Sequence, residues 1–369
     1  MNKLGVDAAV LGAELVRGDV AVADGRIHAV GIGEGAGTGR IAVPGFLDIQ
    51  VNGFAGIDFS TAGGHELAAA STALARTGVT SFLATLITGS LDRTIAQANA
   101  IAGGQGVASG ARLRGIHLEG PAINPDRAGA HRSNHVLGPS AGLARRLLDE
   151  VTDLRMVTLA PELPGALDMI RVLREGGVTV SFGHTEATEE QALAGFDAGG
   201  TAVTHMFNAM RSIHHREPGI AAAVLMHADA FIGLIADGLH VAPTIMKMVT
   251  DLAGHRVVLV TDASAGAGCG DGSYTLGGES ITVVDGVARR PDGVMAGSTL
   301  TMPEAIRSLL ELGVSFVDAV RAATLAPWAL LQRPEHASIA PGAVADVVIT
   351  DLDLEIYSTL VAGTEVYER

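Results

Sequence analysis

The 369-residue chain holds a single cysteine, Cys269, and only two lysines, Lys3 and Lys247. One thiol excludes internal disulfides and every cysteine-built zinc cage, and it points to a reducing compartment. Neither lysine sits in a Gly-x-x-x-x-Gly-Lys setting, so there is no Walker loop. Basic charge is also scarce. The balance of 25 Lys+Arg against 40 Asp+Glu gives a net charge of -15, which works against broad binding to nucleic acid or an anionic membrane. An anionic partner therefore needs a locally basic pocket. Long apolar runs are missing as well. Met1 to Val20 carries Asp7 and Glu14 where a signal peptide needs an uninterrupted core, and Gly219 to Ala236 is broken by His227 and Asp229. A cytoplasmic protein with no membrane or nucleic-acid partner is expected.

What is present is enough apolar material for a large core, at 48% hydrophobic and 18% charged residues. Buried-strand signatures alternate with helical stretches, as a parallel sheet with crossover helices requires. The expected strands are Gly45–Val51, Thr80–Thr85, Arg112–Leu118, Met156–Ala160, Val178–Gly183, Thr201–Thr204, Phe231–Ala236 and Val257–Thr261. Eight strand–helix units predict an α/β fold, a (β/α)8 TIM-like barrel over residues 44–340, with an open doubly wound sheet as the alternative. Residues 1–43 and 341–369 read as short strands and turns that pair in a small β-sandwich domain, and residues 272–296 read as a hairpin insertion.

Barrel chemistry sits at the C-terminal ends of the strands. Those ends carry Gln50 and Asn52, Glu119, His184, His205, His240 and Asp262. One carboxylate and two imidazoles, Glu119, His184 and His205, make the ligand set of an open catalytic metal site with a position left for water. Each residue also has a plain reading. A strand-end histidine is often a hydrogen-bonded structural group, Glu119 can cap a helix or pair with an arginine, and Asp262 can cap the segment that follows it. Five such ends together favour chemistry. His117 is expected in the core behind the site, and Cys269 has no partner for nucleophilic work. The glycines of Gly31-Ile-Gly33-Glu-Gly35-Ala36 fit a dinucleotide fingerprint only loosely, because a proline-bounded strand follows in place of a helix.

Ten blocks extend the pattern: Pro44-Gly-Phe-Leu-Asp48, Gln50-Val-Asn52-Gly53, His117-Leu-Glu-Gly-Pro121, Leu159-Ala-Pro-Glu162, Gly183-His-Thr185, Thr204-His-Met-Phe-Asn-Ala-Met210, Arg216-Glu-Pro-Gly219, Ala236-Asp-Gly-Leu-His240, Val260-Thr-Asp262 and Gly297-Ser-Thr-Leu-Thr301. In this order the chain resembles the N-acetylglucosamine-6-phosphate deacetylase family of the amidohydrolase superfamily. The resemblance implies hydrolysis of N-acetyl-D-glucosamine 6-phosphate to D-glucosamine 6-phosphate and acetate, in amino-sugar catabolism and cell-wall sugar recycling. It implies one divalent ion per subunit on Glu119, His184 and His205, zinc first, with iron, manganese and cobalt as alternatives. Asp262 becomes the acid/base and His131 the group that holds the amide carbonyl. Substrate contacts fall to Asn208 and Ala209 at the phosphate, to His240 at a hydroxyl and to Leu300. Arg216 is implied as a phosphate ligand donated across a homodimer.

Two departures stand out. Many amidohydrolases open the barrel with His-x-His and bridge two metals through a carboxylated lysine, whereas Gln50-x-Asn52 stands here and no lysine ends a strand. His214 and His215 precede Arg216 and fit a surface or dimer contact as well as a phosphate site. The rival functions are deacetylation of N-acetylgalactosamine 6-phosphate or another N-acetylated amine, and a catalytically silent sugar-phosphate sensor.

Overall fold

A computed structural model of the chain describes residues 2–104, 110–227 and 229–369. Eight segments rich in Val, Ile, Leu and Phe, almost wholly buried, form one parallel sheet in sequence order: Phe46–Val51, Val79–Ile87, Arg112–Glu119, Leu154–Leu159, Thr179–Phe182, Ala202–Val203, Phe231–Leu234 and Val257–Leu259. Burial on both faces requires cover on both, and a closed sheet supplies one of them with its own side chains. The outer cover is the helices Gly64–Ala75, Leu91–Gly103, Ala141–Glu150, Ala166–Glu175, Glu189–Asp197, Gly219–Met226, Pro243–Ala253 and Met302–Glu311. Local signals start several of them: Ser140 Oγ accepts from Leu143 N, Thr188 and Gln191 form a capping box, and Pro243 opens its helix.

Closure of the barrel is made just beyond the last regular strand. Val51 and Ala263 form a parallel bridge, Asp262 N donates to Gln50 O at 2.9 Å, and Asn52 N donates to Ala263 O at 2.8 Å. The eighth strand was expected to run to Thr261 and is regular only to Leu259, because Thr261 turns its N–H and hydroxyl to the Asp48 side chain. The sixth is likewise shorter than expected, Ala202–Val203, although Thr201 and Thr204 still donate to Val180 and Phe182 carbonyls at 2.9 Å each.

Both ends of the chain meet in a six-stranded sheet, ordered Thr364–Glu368, Ser358–Val361, Val347–Thr350, Ile41–Pro44, Ala8–Leu11 and Glu14–Arg17. A three-stranded sheet of Asn2–Lys3, Asp19–Ala23 and Arg26–Ile32 lies against it, with Val6, Val20, Ile27, Ala42, Val347 and Ile349 as their common core. Asp346 ties this unit to the barrel through ion pairs with Arg112 and Arg114 at the start of the third strand. Beyond the eighth strand, Gly272–Leu276, Glu279–Val284 and Val287–Arg289 form an antiparallel sheet with a small core of its own. Among the described residues no helix is long and apolar enough to cross a membrane.

The seam between the first and eighth strands holds a wholly buried carboxyl, Asp48, which accepts from Thr261 Oγ1 at 2.5 Å and from Gln50 N at 3.2 Å. Burial pushes it up to about 7 from an ordinary value of 3.8, even with the Thr261 and Gln50 hydrogen bonds acting against the shift. A group that binds its proton more tightly when folded contributes stability fully below its unfolded value, and loses it as pH rises through the folded value. Asp48→Asn cannot ionise, so its melting temperature relative to the parent should climb between about pH 4 and about pH 7 and level off above that. A pH-independent difference would show that Asp48 is already charged in the folded protein.

Candidate active site

His184, His205 and Asp262 each stand just past a strand end, and each is left-handed, with φ of 50°, 26° and 49°. For residues with a Cβ this costs of order 1 kcal/mol apiece. The bend turns all three side chains inward over the mouth of the barrel. Gly183 precedes the first of them, and a Cβ there would overlap the Thr204 methyl.

Glu119, 2% exposed at the end of the third strand, is the centre on which the others converge. Its Oε1 lies 2.9 Å from His205 Nε2, 3.2 Å from His184 Nε2 and 3.1 Å from Gln50 Nε2, and its Oε2 lies 3.5 Å from His131 Nε2. Burial alone would raise this carboxyl; hydrogen bonds to His131, His184 and His205 outweigh it and hold Glu119 well below the usual carboxylate range. Burial, then the Glu119 charge, pushes Asp262 up to about 6. Asp262 Oδ1 accepts from Asn52 Nδ2 at 2.7 Å and Gln50 Nε2 at 3.2 Å, while no described residue donates to its Oδ2. The Gln50 amide is oriented by the Thr204 hydroxyl, which donates to its Oε1, so one NH2 group faces both carboxylates.

Hydrogen-bond partners assign the imidazole protons. His184 Nδ1 sits 2.8 Å from Arg127 O, a pure acceptor, so Nδ1 carries the proton and Nε2 presents a lone pair. That lone pair lies 3.1 Å from His205 Nε2, and His205 Nδ1 is buried with no partner among the described residues. Donor atoms sharing a cation at about 2.1 Å stand about 3 to 3.5 Å apart, so Glu119, His184 and His205 could hold a divalent ion between them. The donor atoms of Glu119, His131 and His184 also lie within 4.8 Å of one another. His131 differs in its proton. Thr88 N–H donates to its Nδ1 at 3.2 Å, so Nδ1 is an acceptor and Nε2 carries hydrogen. Burial, then His184, brings His131 down to about 4, so the ring is neutral and offers a hydrogen-bond donor to the cleft. His117 is neutral too, brought down to about 4 by burial, and is bonded to Ile49 O and Thr158 Oγ1 behind the site.

These groups floor a cleft of about 310 Å³, whose walls include Arg127, Asn208, Ala209, His240, Leu276, Val294, Met295 and Gly297. His240 Nδ1 is 2.6 Å from Asp237 Oδ2, an anchor that leaves Nε2 for a ligand. Two further residues singled out in the sequence do not line this chain's cleft. Arg216 is exposed, bonded to His215, and does not line its own chain's cleft. Leu300 is buried with its N–H on Ser298 Oγ at 3.0 Å, and the wall is made by Val294, Met295 and Gly297 in its stead.

Matches with known proteins agree with this geometry. The model of the amidohydrolase family matches residues 41–366. The chain belongs to the amidohydrolase family. It is 38% identical to the N-acetylgalactosamine-6-phosphate deacetylase of Escherichia coli O157:H7 over 332 residues, covering 88% of this chain and 87% of that protein. The human N-acetylglucosamine-6-phosphate deacetylase is 36% identical over 350 residues, covering 89% and 84%. A mutant N-acetyl-D-glucosamine-6-phosphate deacetylase from Mycobacterium smegmatis, solved with N-acetyl-D-glucosamine-6-phosphate, superposes with a TM-score of 0.91 at 39% identity, covering 98% and 97%.

Within this amidohydrolase, sequence reasoning missed Thr88, Thr204 and Asp237, which orient His131, Gln50 and His240. Only Asp237 carried a signal, three residues before the histidine it holds. Thr88 also explains a glycine. Gly120 has φ of 93°, and a Cβ there would overlap Thr88 Oγ1, which donates to Glu119 O and sits 2.9 Å from His131 Nδ1. Gly120→Ala should therefore cost about 2 kcal/mol or more of stability and reduce turnover with it. Thermal unfolding and steady-state assays check this, and unchanged values in both would mean that Thr88 yields without consequence.

Proposed function

We propose that the chain hydrolyses the N-acetyl group of N-acetyl-D-glucosamine 6-phosphate, giving D-glucosamine 6-phosphate and acetate. The observation that carries this reading is the set around Glu119: the Nε2 atoms of His184 and His205 converging on one side, a protonated His131 Nε2 on the other, and a carboxylate, Asp262, with one oxygen left for a proton. Glu119, His184 and His205 would hold one divalent ion, zinc first among the metals that suit such donors. His131 is set apart from that ligand set by its proton. When bound, the ion polarises a carbonyl and makes water acidic.

An amide resists hydrolysis because its carbonyl is a weak electrophile and its amine a poor leaving group. Asp262 Oδ2 takes the proton of the attacking water and delivers it to the nitrogen as the C–N bond breaks. With its pKa at about 6, Asp262 starts that cycle ionised at neutral pH. His131 Nε2–H donates to the carbonyl oxygen as negative charge develops there, a contribution commonly worth about 3 kcal/mol. His240, held by Asp237, would take a sugar hydroxyl, and Asn208 with Ala209 the phosphate. A cytoplasmic setting suits the lone, unpaired Cys269.

The substrate's epimer has a second reading. The E. coli relative named for N-acetylgalactosamine 6-phosphate is as similar as those named for the glucosamine sugar. Acetate release across both phosphorylated sugars and their unphosphorylated forms separates the two. In the same assay Asp262→Asn should lower kcat by about a thousandfold with KM little changed and metal content retained, since the amide cannot carry the proton. Near-parental turnover would make Asp262 structural and remove this mechanism.

Arg216 would bind the phosphate of a neighbouring subunit in a homodimer. Its exposure and its absence from its own cleft support that assignment, as does the need for local positive charge in a chain of net charge -15. A guanidinium–phosphate pair is bidentate and charge-assisted, so Arg216→Ala should raise KM for the phosphorylated sugar about tenfold or more and leave the unphosphorylated one unaffected. Mixing Arg216→Ala with Asp262→Asn chains should restore part of the activity. No recovery after proven subunit exchange would place the phosphate within one chain.

A further inference from the structure

The three-stranded insert does more than roof the cleft. Arg290, which follows its last strand, donates from Nη1 to Gly129 O at 3.3 Å and to Ala130 O at 3.4 Å, while its Nη2 is pinned 3.1 Å from Asp292 Oδ2. These are the two carbonyls before His131. Gly129 is left-handed, with φ of 57°. On the other side of the histidine, Arg132 donates to Gly277 O at 3.3 Å and forms an ion pair with Glu279, so it holds the turn between the insert's first two strands. The same turn is tied to the barrel, Gly278 N donating to Asp58 Oδ2 at 2.9 Å. Ala130 packs against the insert's core of Leu276, Ile281 and Val283.

We propose that Arg290, assisted by Arg132, is a positioning residue for His131, by which the insert holds the main chain on both sides of that histidine. Thr88 orients the ring, and Arg290 sets where the ring stands. Leu276, Val294 and Met295 of the same insert line the cleft, so substrate packed against them and the donor that meets its carbonyl rest on one rigid piece. A misplacement of about 1 Å at such a donor is enough to cost a large part of its contribution.

This inference rests on the carbonyl-binding role of His131 given above, and the test separates the two. Steady-state kinetics of the metal-loaded enzyme should show Arg290→Ala lowering kcat about tenfold with KM changed less than about threefold, and Arg290→Lys recovering part of the loss. In a His131→Gln background, Arg290→Ala should add nothing, because the group it positions is gone. A merely structural arginine would lower the rate by the same factor in both backgrounds, and that result, or an unaffected Arg290→Ala, overturns the proposal. His131→Gln with parental kcat would instead remove the role of His131 itself, whatever Arg290 does.

Discussion

A carboxylate buried at the mouth of the barrel, Glu119, is the constraint to which the rest of the site answers. An isolated ion in that setting would be neutralised by proton uptake. Imidazole nitrogens and an amide keep it ionised instead, and the elements that carry them must bend to reach it. The left-handed turns at His184 and His205 are what that convergence costs. They persist because the strands beneath are locked by parallel ladders and a close-packed core, so the backbone there has no cheaper conformation available.

The second carboxylate, Asp262, depends on the seam where the barrel closes. Its main-chain N–H pairs with Gln50 O, and its side chain meets the Gln50 and Asn52 amides. Asp48 and Thr261 stitch the same seam one layer down. Catalytic geometry and barrel closure are therefore one set of contacts. Gly297 shows how tight the packing is: it is left-handed at 64°, and a Cβ there would lie 2.7 Å from Asp262 O. The strand order alone leaves the first and eighth strands at opposite edges, and the segment from Thr261 to Ala263 joins them.

Much of this was legible in the sequence, for identifiable reasons. Strands buried on both faces read as continuous apolar runs, and a barrel places its reactive residues at their ends, so Glu119, His184, His205 and Asp262 could be picked out by position and type. What escaped was contact at a distance in the chain. Nothing in the local sequence marks Thr88 as the partner of His131, 43 residues away, or Thr204 as the partner of Gln50, 154 away. Imidazole tautomers are likewise set by such partners, so the division of labour between His131 and His205 is invisible until the fold is known. Leu300 shows how far a motif can stand from a side-chain position. Its block is distinctive, but the chain turns there so that Val294, Met295 and Gly297 face the cleft and Leu300 faces the core.

Gln50 and Asn52 then acquire a physical meaning. Two buried carboxylates, Glu119 and Asp262, share a pocket lined by neutral donors and imidazoles, and a single divalent ion held there would balance their charge. Replacing the amides by imidazoles would create donors for a second ion, leaving two uncompensated positive charges in a site with no lysine to supply a carboxylated, anionic bridge. The amides do the reverse. Gln50 bonds Glu119 and Asp262 through one nitrogen and lowers the repulsion between them without adding charge. Asp262 is thus held beside Glu119, and with its pKa pushed up to about 6 it would be basic at neutral pH yet able to give a proton back, as the proposed reaction needs.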